Sequence, residues 1–324
     1  MASKEKLAQW LFDNRNQLQL KTLLGTWVKD WLPGFNDIRV QLQVDGKPYT
    51  GRGIAADQDQ AFLIAGAEAI ERAYCDNLGI HSNGIALHTN EENAKLNAKM
   101  ELLERDGFLC HFLTKTPFAD LKTPSGINID FEQIKNRLKN LRVEITLKKV
   151  IYSYPQITLC IARKTEGENP FSCILGLGSH EDIKVSTTKA ITECLSNVVW
   201  RLEDKNVKTI NIENFKNKSH HSSMDHQMLY LEDDNDLSLN WIFYSENSSN
   251  TVEAESEIEL STLKSNILIL DEAPIVVIRA MSNDLQNIFY GPTTLEKINM
   301  KRLHQFTGSS VDESNINWMP HPIG

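Results

Sequence analysis

The chain has 324 residues, long enough for one large domain or two ordinary ones. Its 41% hydrophobic and 24% charged residues are those of a soluble globular protein, and a formal net charge of −9 argues against the broad basic surface that sequence-independent nucleic-acid binding needs. The five cysteines, at 75, 110, 160, 173 and 194, form no C-x-x-C pair and read as reduced thiols, not as a disulfide framework or a zinc site. The charged N-terminus, MASKEKLAQWLFDNRNQ, lacks the apolar core of a signal peptide. The longest apolar run, Ile267 to Met281, is broken by Asp271, Glu272 and Pro274, so no membrane span is expected and a cytoplasmic protein is.

In chain order, Leu7, Trp10, Leu11, Leu18 and Leu20 recur at helical intervals and predict one or two amphipathic helices over residues 3 to 31, stopped by Pro33-Gly34. Ile38 to Val44 alternates apolar and polar as a half-buried strand, Asp45-Gly46 is a hairpin turn, and Tyr49 to Ala55 is the returning strand. Within it, Gly51-Arg52-Gly53 sets a cation between two residues that let backbone approach a ligand closely. Ala61 to Tyr74 is then helical, and up to Ala73 its only charges are Glu68, Glu71 and Arg72. A Glu68–Arg72 surface pair is the simpler reading. A helix apolar nearly all round is usually buried, however, and buried carboxylates need a partner or a metal.

Ser82-Asn83-Gly84 supplies a hydroxyl, an amide and a flexible turn suited to a polar heterocycle or ribose. The helix that follows starts at a Thr89 N-cap with Glu91 and Glu92 in its first turn. Glu101 and Glu104 lie about three turns deeper, on one face, with Arg105 and Asp106 beyond them. Two E-x-x-E-R helices in apolar surroundings thus suggest four carboxylates converging on one cation, and carboxylate oxygens select a hard cation such as Mg²⁺, which commonly bridges protein to phosphate.

Further on, Ile129 to Leu141 reads as a helix, and Val143 to Val150, Ile151 to Tyr154 and Ile157 to Arg163 as strands. Gly176-Leu177-Gly178-Ser179-His180 is a third Gly-rich element, before a helix from Asp182 to Leu202 that carries Lys189, Glu193, Ser196 and Asn197. Residues 205–260, with His220-His221, His226, Asp233-Asp234 and a Ser/Asn/Glu run, read as a polar surface insertion whose histidines are loop residues. The end, Trp318 to Gly324, is too rich in proline for a helix. No P-loop and no protein-kinase signature occurs.

The ordered set of motifs, from about residue 45 to 205, resembles the YcaO-domain family, whose members use ATP to activate backbone amides of ribosomally made peptides. It comprises Gly51-Arg52-Gly53, Glu68/Glu71/Arg72, Ser82-Asn83-Gly84, Glu101/Glu104/Arg105/Asp106 and Gly176/Gly178/His180 leading into Ala190-Ile191-Thr192-Glu193. The resemblance implies an α+β, YcaO-like fold in which the E-x-x-E-R helices pack on mixed or antiparallel sheet. Residues 1–45 would be an N-terminal extension and 46–324 the catalytic domain. It also implies that Glu68, Glu71, Glu101 and Glu104 hold Mg²⁺ against the phosphates of ATP. Arg52, Arg72, Arg105 and Lys189, with Ser82 and Asn83, would bind the nucleotide, and Arg52, Arg105 and Glu193 would be catalytic.

The reaction implied is azoline-forming cyclodehydration of Cys, Ser or Thr in a ribosomally made precursor peptide. Thioamide formation or a scaffold role in a larger synthetase are the alternatives. Expected partners are the precursor peptide and a separate protein carrying a leader-recognition domain, with a dehydrogenase as a further candidate. A homodimer or a place in a larger synthetase is expected, with no nucleic acid and no membrane. Lys189 stands where the family more often has Arg and Ser196 where it commonly has Gln, and the C-terminus only partly matches the family's proline-rich end.

Overall fold

The computed structural model describes residues 3–204, 206–232, 239–243, 252 and 256–323. In chain order the elements are α1 (Ser3–Asp13), β1 (Lys21–Gly25), α2 (Val28–Trp31), β2 (Asn36–Val44), β3 (Lys47–Ala55), α3 (Gln58–Leu78), β4 (Ile85–His88) and α4 (Glu91–Thr114). There follow β5 (Ala119–Asp120), α5 (Phe131–Asn140), β6 (Glu144–Lys149), β7 (Gln156–Lys164), β8 (Phe171–His180) and α6 (Ile183–Glu203). The chain continues with α7 (Ile212–Lys216), α8 (Ser223–Tyr230), α9 (Asn240–Phe243), β9 (Glu259–Leu263), α10 (Leu268–Asp271), β10 (Val276–Met281) and α11 (Met300–Thr307). This is an α+β fold whose named strands, among the described residues, pair antiparallel.

The chain divides into two compact units: Met1–Leu102 with Ile258–Met281, and Leu103–Glu257 with Ser282–Gly324. The first holds two three-stranded sheets, ordered β1-β2-β3 and β4-β10-β9. Its core gathers Leu7, Leu11 and Leu18 with Leu42, Ile70, Tyr74, Leu270 and Val277. The second holds the four-stranded sheet β5-β6-β7-β8, over a core of Phe108, Phe112, Tyr152, Ile161, Phe215 and Leu303 among others.

Asp45 and Gly46 both adopt positive φ, 50° and 77°, as a tight hairpin turn requires. β2 and β3 pair along their whole lengths from that turn, so the boundary expected at residue 45 falls inside a hairpin. Residues 3 to 31 are likewise not helical throughout. Lys21–Gly25 pairs with β2 in register Lys21↔Gln41 to Gly25↔Asp37, so its leucines belong to an edge strand and Leu23 and Leu24 stand exposed. The helix α4 is capped by Asn90, whose Oδ1 accepts from the Asn93 N–H, and not by Thr89. Ile151 to Tyr154 forms only an isolated bridge, Tyr152 to Val252. Residues 205–260 are not wholly a surface insertion: α7 and α8 bury Phe215, His226, Leu229 and Tyr230 in the second unit's core. The Asp233-Asp234 pair and most of the Ser/Asn/Glu run lie outside the described residues.

Each unit builds the same device, and it corrects the reading of the glycines. On β3, a Cβ at Gly51 would fall on the Ala65 carbonyl and the Ala69 nitrogen, and one at Gly53 on the Ala61 carbonyl. On β8, a Cβ at Gly176 would fall on the Ala190 carbonyl and the Cys194 nitrogen, and one at Gly178 on the Ser186 carbonyl. These glycines lie inside strands and let a helix backbone pack directly on the strand; they do not open a turn to a ligand. The helices match as well. α3 and α6 are both 21 residues long, and both are N-capped by an aspartate side chain, Asp57 and Asp182. The strand N–H between each glycine pair donates to a helix carboxylate: Arg52 N to Glu68 Oε2 at 2.6 Å, and Leu177 N to Glu193 Oε2 at 2.8 Å. Every pair keeps one spacing in sequence, so the strand–helix unit occurs twice in the chain.

A methyl group at any of these four glycines meets helix backbone, which cannot rotate aside as a side chain can. Gly51→Ala and Gly176→Ala should therefore each cost about 1–3 kcal/mol or more, as overpacked core sites do, read as a lowered urea midpoint at unchanged m-value.

Candidate functional site

In the first unit, α3 presents Glu68 and Glu71 one turn apart. Glu68 is fixed at both oxygens, Oε2 by the Arg52 N–H and Oε1 by Arg72 Nη2 at 2.5 Å. Arg72 is held in turn by the Thr50 carbonyl at 2.6 Å. Glu71 Oε1 accepts from the Ser82 hydroxyl at 2.7 Å. Burial and then the neighbouring Glu101 carboxylate push the Glu71 carboxyl up to about 8; Glu68 adds to the shift, while Ser82 and Arg72 oppose it. The Cys75 thiol, one turn further along α3, is pushed up to about 12 by burial and then by Glu71 and Glu101. Within this unit Glu101 and Glu68 thus both act on Glu71 as like charges that oppose its ionisation.

A raised acid costs native stability as it ionises, because the unfolded state gives up its proton sooner. Stability of the ligand-free protein should therefore fall as pH rises from about 4.5, the ordinary value, through about 8. Glu71→Gln should flatten that slope in thermal melts recorded across the interval.

The Ser82-Asn83-Gly84 turn lies beside β10. Gly84 sits at φ 64°, its carbonyl accepts from the Ala280 N–H at 2.7 Å, and a Cβ there would collide with the Ala280 carbonyl. Asn83 Oδ1 and Arg279 Nε are both buried without a hydrogen-bond partner among the described residues. Arg279 pairs across the sheet with Ile85, next to Gly84, and its charge reaches Cys75. Orphaned buried polar atoms in native proteins call for an explanation, a ligand among them. Arg279 is the functional candidate that sequence reasoning missed, although the signal was present: it is the sole charge in the apolar run Ile275–Met281.

Arg52 corrects the opposite way. With Gly51 and Gly53 facing α3, strand alternation turns the Arg52 side chain to the other face of the sheet. There Nε and Nη2 grip Asp37 at 2.8 and 2.6 Å, and Trp27 Nε1 donates to the same carboxylate at 2.5 Å. Burial alone would raise the Asp37 carboxyl, but Arg52 and Trp27 together hold it below its usual range. Only the backbone N–H of Arg52 reaches the carboxylate cluster, so its guanidinium is withdrawn as a phosphate contact and as a catalytic group.

In the second unit, Glu104 is buried one helical turn beyond Glu101 on α4, with Arg105 Nη1 4.0 Å from its Oε1. Asp106 is not a ligand candidate. It is fully buried and paired with Arg302 at 2.8 Å. Arg105 and Glu193 line one cavity, together with Asn197, Trp200 and the C-terminal Pro322 and Ile323. Lys189 donates instead to the Ser179 carbonyl at 3.3 Å, at the end of β8, and does not line that cavity. Ser196 back-bonds to the Glu193 carbonyl at 2.9 Å.

The tail forming this wall is fastened. Its Pro320 carbonyl accepts from the Tyr230 hydroxyl, its Met319 carbonyl from Thr293 Oγ1 at 2.9 Å, and its His321 carbonyl from His226 Nδ1 at 2.6 Å. His226 and His321 stack with ring centroids 4.3 Å apart. Burial depresses both imidazoles, His226 to about 4. His226 is therefore a neutral anchor for the tail and not a loop residue.

The donor set in the first unit fits a hard dication and a polar ligand. Clustered carboxylates, one of them driven to keep a proton, gain most from a divalent ion. Among the described residues no trio of His, Cys, Asp or Glu is drawn together as a finished metal cage. Mg²⁺ does not require one, because it commonly takes one or two carboxylates plus waters and phosphate oxygens. Such a donor set is of the kind that suits a divalent ion bridging protein carboxylates to phosphate. The chain belongs to the YcaO family: the family's sequence model, described as YcaO cyclodehydratase, ATP- and Mg²⁺-binding, matches residues 78–269, more than half of the chain. ATP and Mg²⁺ are accordingly its cofactors. The matched span includes Glu101, Glu104 and Glu193 but begins after Glu68 and Glu71.

Among solved structures, a heterocyclase in complex with substrate and cofactor is similar over 98% of this chain and 57% of its own, at 11% identity and a TM-score of 0.68. The chain therefore spans less than two thirds of that protein. YcaO from Methanopyrus kandleri, bound with AMPPCP and Mg²⁺, is similar over 88% of this chain and 92% of its own, at 13% identity and a TM-score of 0.58. A chain of the E. coli microcin synthetase McbBCD complex is similar over 82% of this chain and 88% of its own, at 10% identity and a TM-score of 0.53. At these identities the likeness is one of fold. No curated protein matches the sequence. No helix among the described residues is long and apolar enough to cross a membrane.

Proposed function

We propose that this chain is the ATP- and Mg²⁺-dependent subunit of a peptide-modifying enzyme, converting Cys, Ser or Thr residues of a ribosomally made precursor to azolines. The observation that carries the reading is the gathering of Glu68, Glu71 and Glu101 beside the Ser82-Asn83 turn and Arg279, in a family whose members bind that cofactor pair. When bound, ATP supplies the phosphoryl group that makes an amide oxygen a competent leaving group. The three carboxylates would hold Mg²⁺, and Arg72 keeps Glu68 in place for it. Ser82 and Asn83 would read the nucleoside, while Arg279 would place positive charge where phosphate charge develops. Positioning and electrostatics of this kind need no protein nucleophile. Glu193 and Arg105 flank the cavity where the peptide would approach.

A separate recognition protein delivers the precursor; among the neighbours by fold, one is a chain of a multi-subunit synthetase complex. A non-catalytic scaffold role is the second reading, favoured by α6, where Ser196 and Asn197 occupy the places that Glu71 and Arg72 hold on α3. Mass spectrometry of candidate precursors incubated with the chain, its partner, ATP and Mg²⁺ separates the outcomes. Loss of one water per modified residue supports azoline formation, exchange of oxygen for sulfur identifies a thioamide, and unchanged mass with no ATP turnover leaves the scaffold.

A further inference from the structure

β1 ends its sheet: the order is β1-β2-β3, and among the described residues no strand pairs with its outer side. An edge strand presents a row of unpaired N–H and C=O groups, and proteins usually blunt such edges with charge, proline or a bulge. The sequence of β1, Lys-Thr-Leu-Leu-Gly, has one lysine and no proline, and its register to β2 runs unbroken from Lys21 to Gly25. Leu23 is 63% exposed and Leu24 68%. Two neighbouring leucines left in water on an unblunted edge mark a surface for another strand.

The register gives each face its character. Leu24 lies opposite Ile38 and Thr22 opposite Val40, so both stand on the face whose Ile38 and Val40 pack with Ala61 and Ala65 of α3. A strand added to β1 meets apolar surface there, at Leu24. Leu23 lies opposite Arg39, and Arg39 opposite Arg52, on the other face, which also carries Lys21 two residues from Leu23. Lys21 and Arg39 are exposed. The acid of that face, Asp37, is already held by Arg52 and Trp27. The outer face beside Leu23 is therefore positive.

Charge decides between the competing occupants. A second copy pairing its own β1 antiparallel about Leu23 would set Lys21 and Arg39 of both copies on one continuous face, and like charges brought together across a sheet are destabilising. A strand with acids on that face and apolar residues on the other suits both faces.

We infer that β1 accepts, by strand addition, an extended segment of a partner polypeptide whose residues alternate acidic and apolar, the acids on the side of Lys21 and Arg39 and the apolar residues against Leu24. The inference stands on this sheet edge alone and is independent of the reaction proposed for the carboxylate cluster.

The test uses the full chain and two peptides, fluorescein-Glu-Val-Glu-Leu-Glu-Val-Glu-amide and its counterpart with every Glu replaced by Lys. The chain as a whole carries a net charge of −9, so non-specific attraction favours the Lys peptide and a preference for Glu reports the local surface. Fluorescence anisotropy at low salt should give the Glu peptide a dissociation constant at least about tenfold below that of the Lys peptide, as a few cross-strand charge pairs turned from repulsive to attractive amount to. Amide hydrogen exchange of residues 21–25 should slow when the Glu peptide is added. N-methylation of alternate peptide nitrogens should abolish binding in one phase and spare it in the other, because an added strand pairs along one edge only. Leu23→Glu and Leu24→Asp, both at exposed positions, should each weaken the Glu peptide by a similar factor, and Leu23→Glu should reverse the preference between the peptides. If a variant does not fold, the wild-type series with the methylated peptides decides alone. Absence of saturable binding, equal binding of the Glu and Lys peptides, or binding of the Glu peptide that both folded variants leave unchanged would overturn the inference. So would a dimer in sedimentation that Leu24→Asp dissociates, since the edge would then belong to a second copy of this chain.

Discussion

Glu101→Ala abolishes ATP turnover and leaves the ligand-free protein as stable as before or more so. The two halves of this expectation have one cause. Without a cation, Glu101 acts on Glu71 as a like charge beside a half-buried carboxyl, and after burial it is the strongest influence holding that proton in place. Deleting Glu101 relieves the repulsion, so the Glu71 carboxyl returns toward its ordinary value and the melting temperature near neutral pH rises. The same deletion removes a ligand for the ion that carries the phosphates. Loss of one preorganised electrostatic group costs roughly a hundred- to a thousandfold in kcat, and loss of the metal costs more. Phosphate release and thermal melts on the same preparation check both halves. Turnover within a few-fold of wild type would show that the cluster does not hold the nucleotide's metal. A sharp fall in melting temperature would show that Glu101 has a structural partner outweighing the repulsion.

Much of this site was legible in the letters because its chemistry needs acids in apolar helices at helical spacing. Glu68, Glu71, Glu101 and Glu104 were expected to converge; Glu101 and Glu68 act electrostatically on Glu71, and Ser82 reaches it. What local pattern could not show was the direction of side chains in strands. Gly51-Arg52-Gly53 reads equally well as a ligand loop or as a packing strip, and only the seating of α3 on β3 turns the Arg52 guanidinium to Asp37. Arg279 was hidden for the reverse reason: one cation in a short apolar strand carries no periodicity, and its value lies in a pairing with β4 set by a distant part of the chain. The duplicated strand–helix unit was obscured because only Gly51, Gly53, Asp57, Ala65 and Glu68 are matched in kind by Gly176, Gly178, Asp182, Ala190 and Glu193. Those are the residues that close packing, the helix cap and the strand clamp demand, and the positions between them have diverged. Residues 205–260 looked like an insertion because their composition is polar, yet Phe215, His226 and Tyr230 suffice to bury α7 and α8.

The largest stability effect is expected at Asp106, the last letter of the second acidic motif. Its carboxylate is inaccessible to solvent and accepts from Arg302 Nη2 at 2.8 Å, from Arg302 Nε at 3.1 Å, from the Gln286 N–H at 2.7 Å and from the Tyr152 hydroxyl. Arg302 Nη2 also meets the Tyr152 oxygen at 2.5 Å. Burial by itself would discharge Arg302, but Asp106 holds the guanidinium firmly protonated. Removing either partner leaves the other as a lone charge in the core, so Asp106→Ala or Arg302→Met should each cost about 3–5 kcal/mol. Replacing both together with apolar residues of similar volume, Asp106→Leu with Arg302→Met, should recover most of that loss in a double-mutant cycle. Urea titrations of the four proteins supply the coupling energy. If the double variant folds and turns over ATP, Asp106 serves only to seat the last turns of α4, which carry Arg105, against the segment bearing α11. If it folds and is inactive, the buried charge pair itself fixes the orientation of Arg105, and the motif's final acid belongs to the catalytic apparatus at one remove.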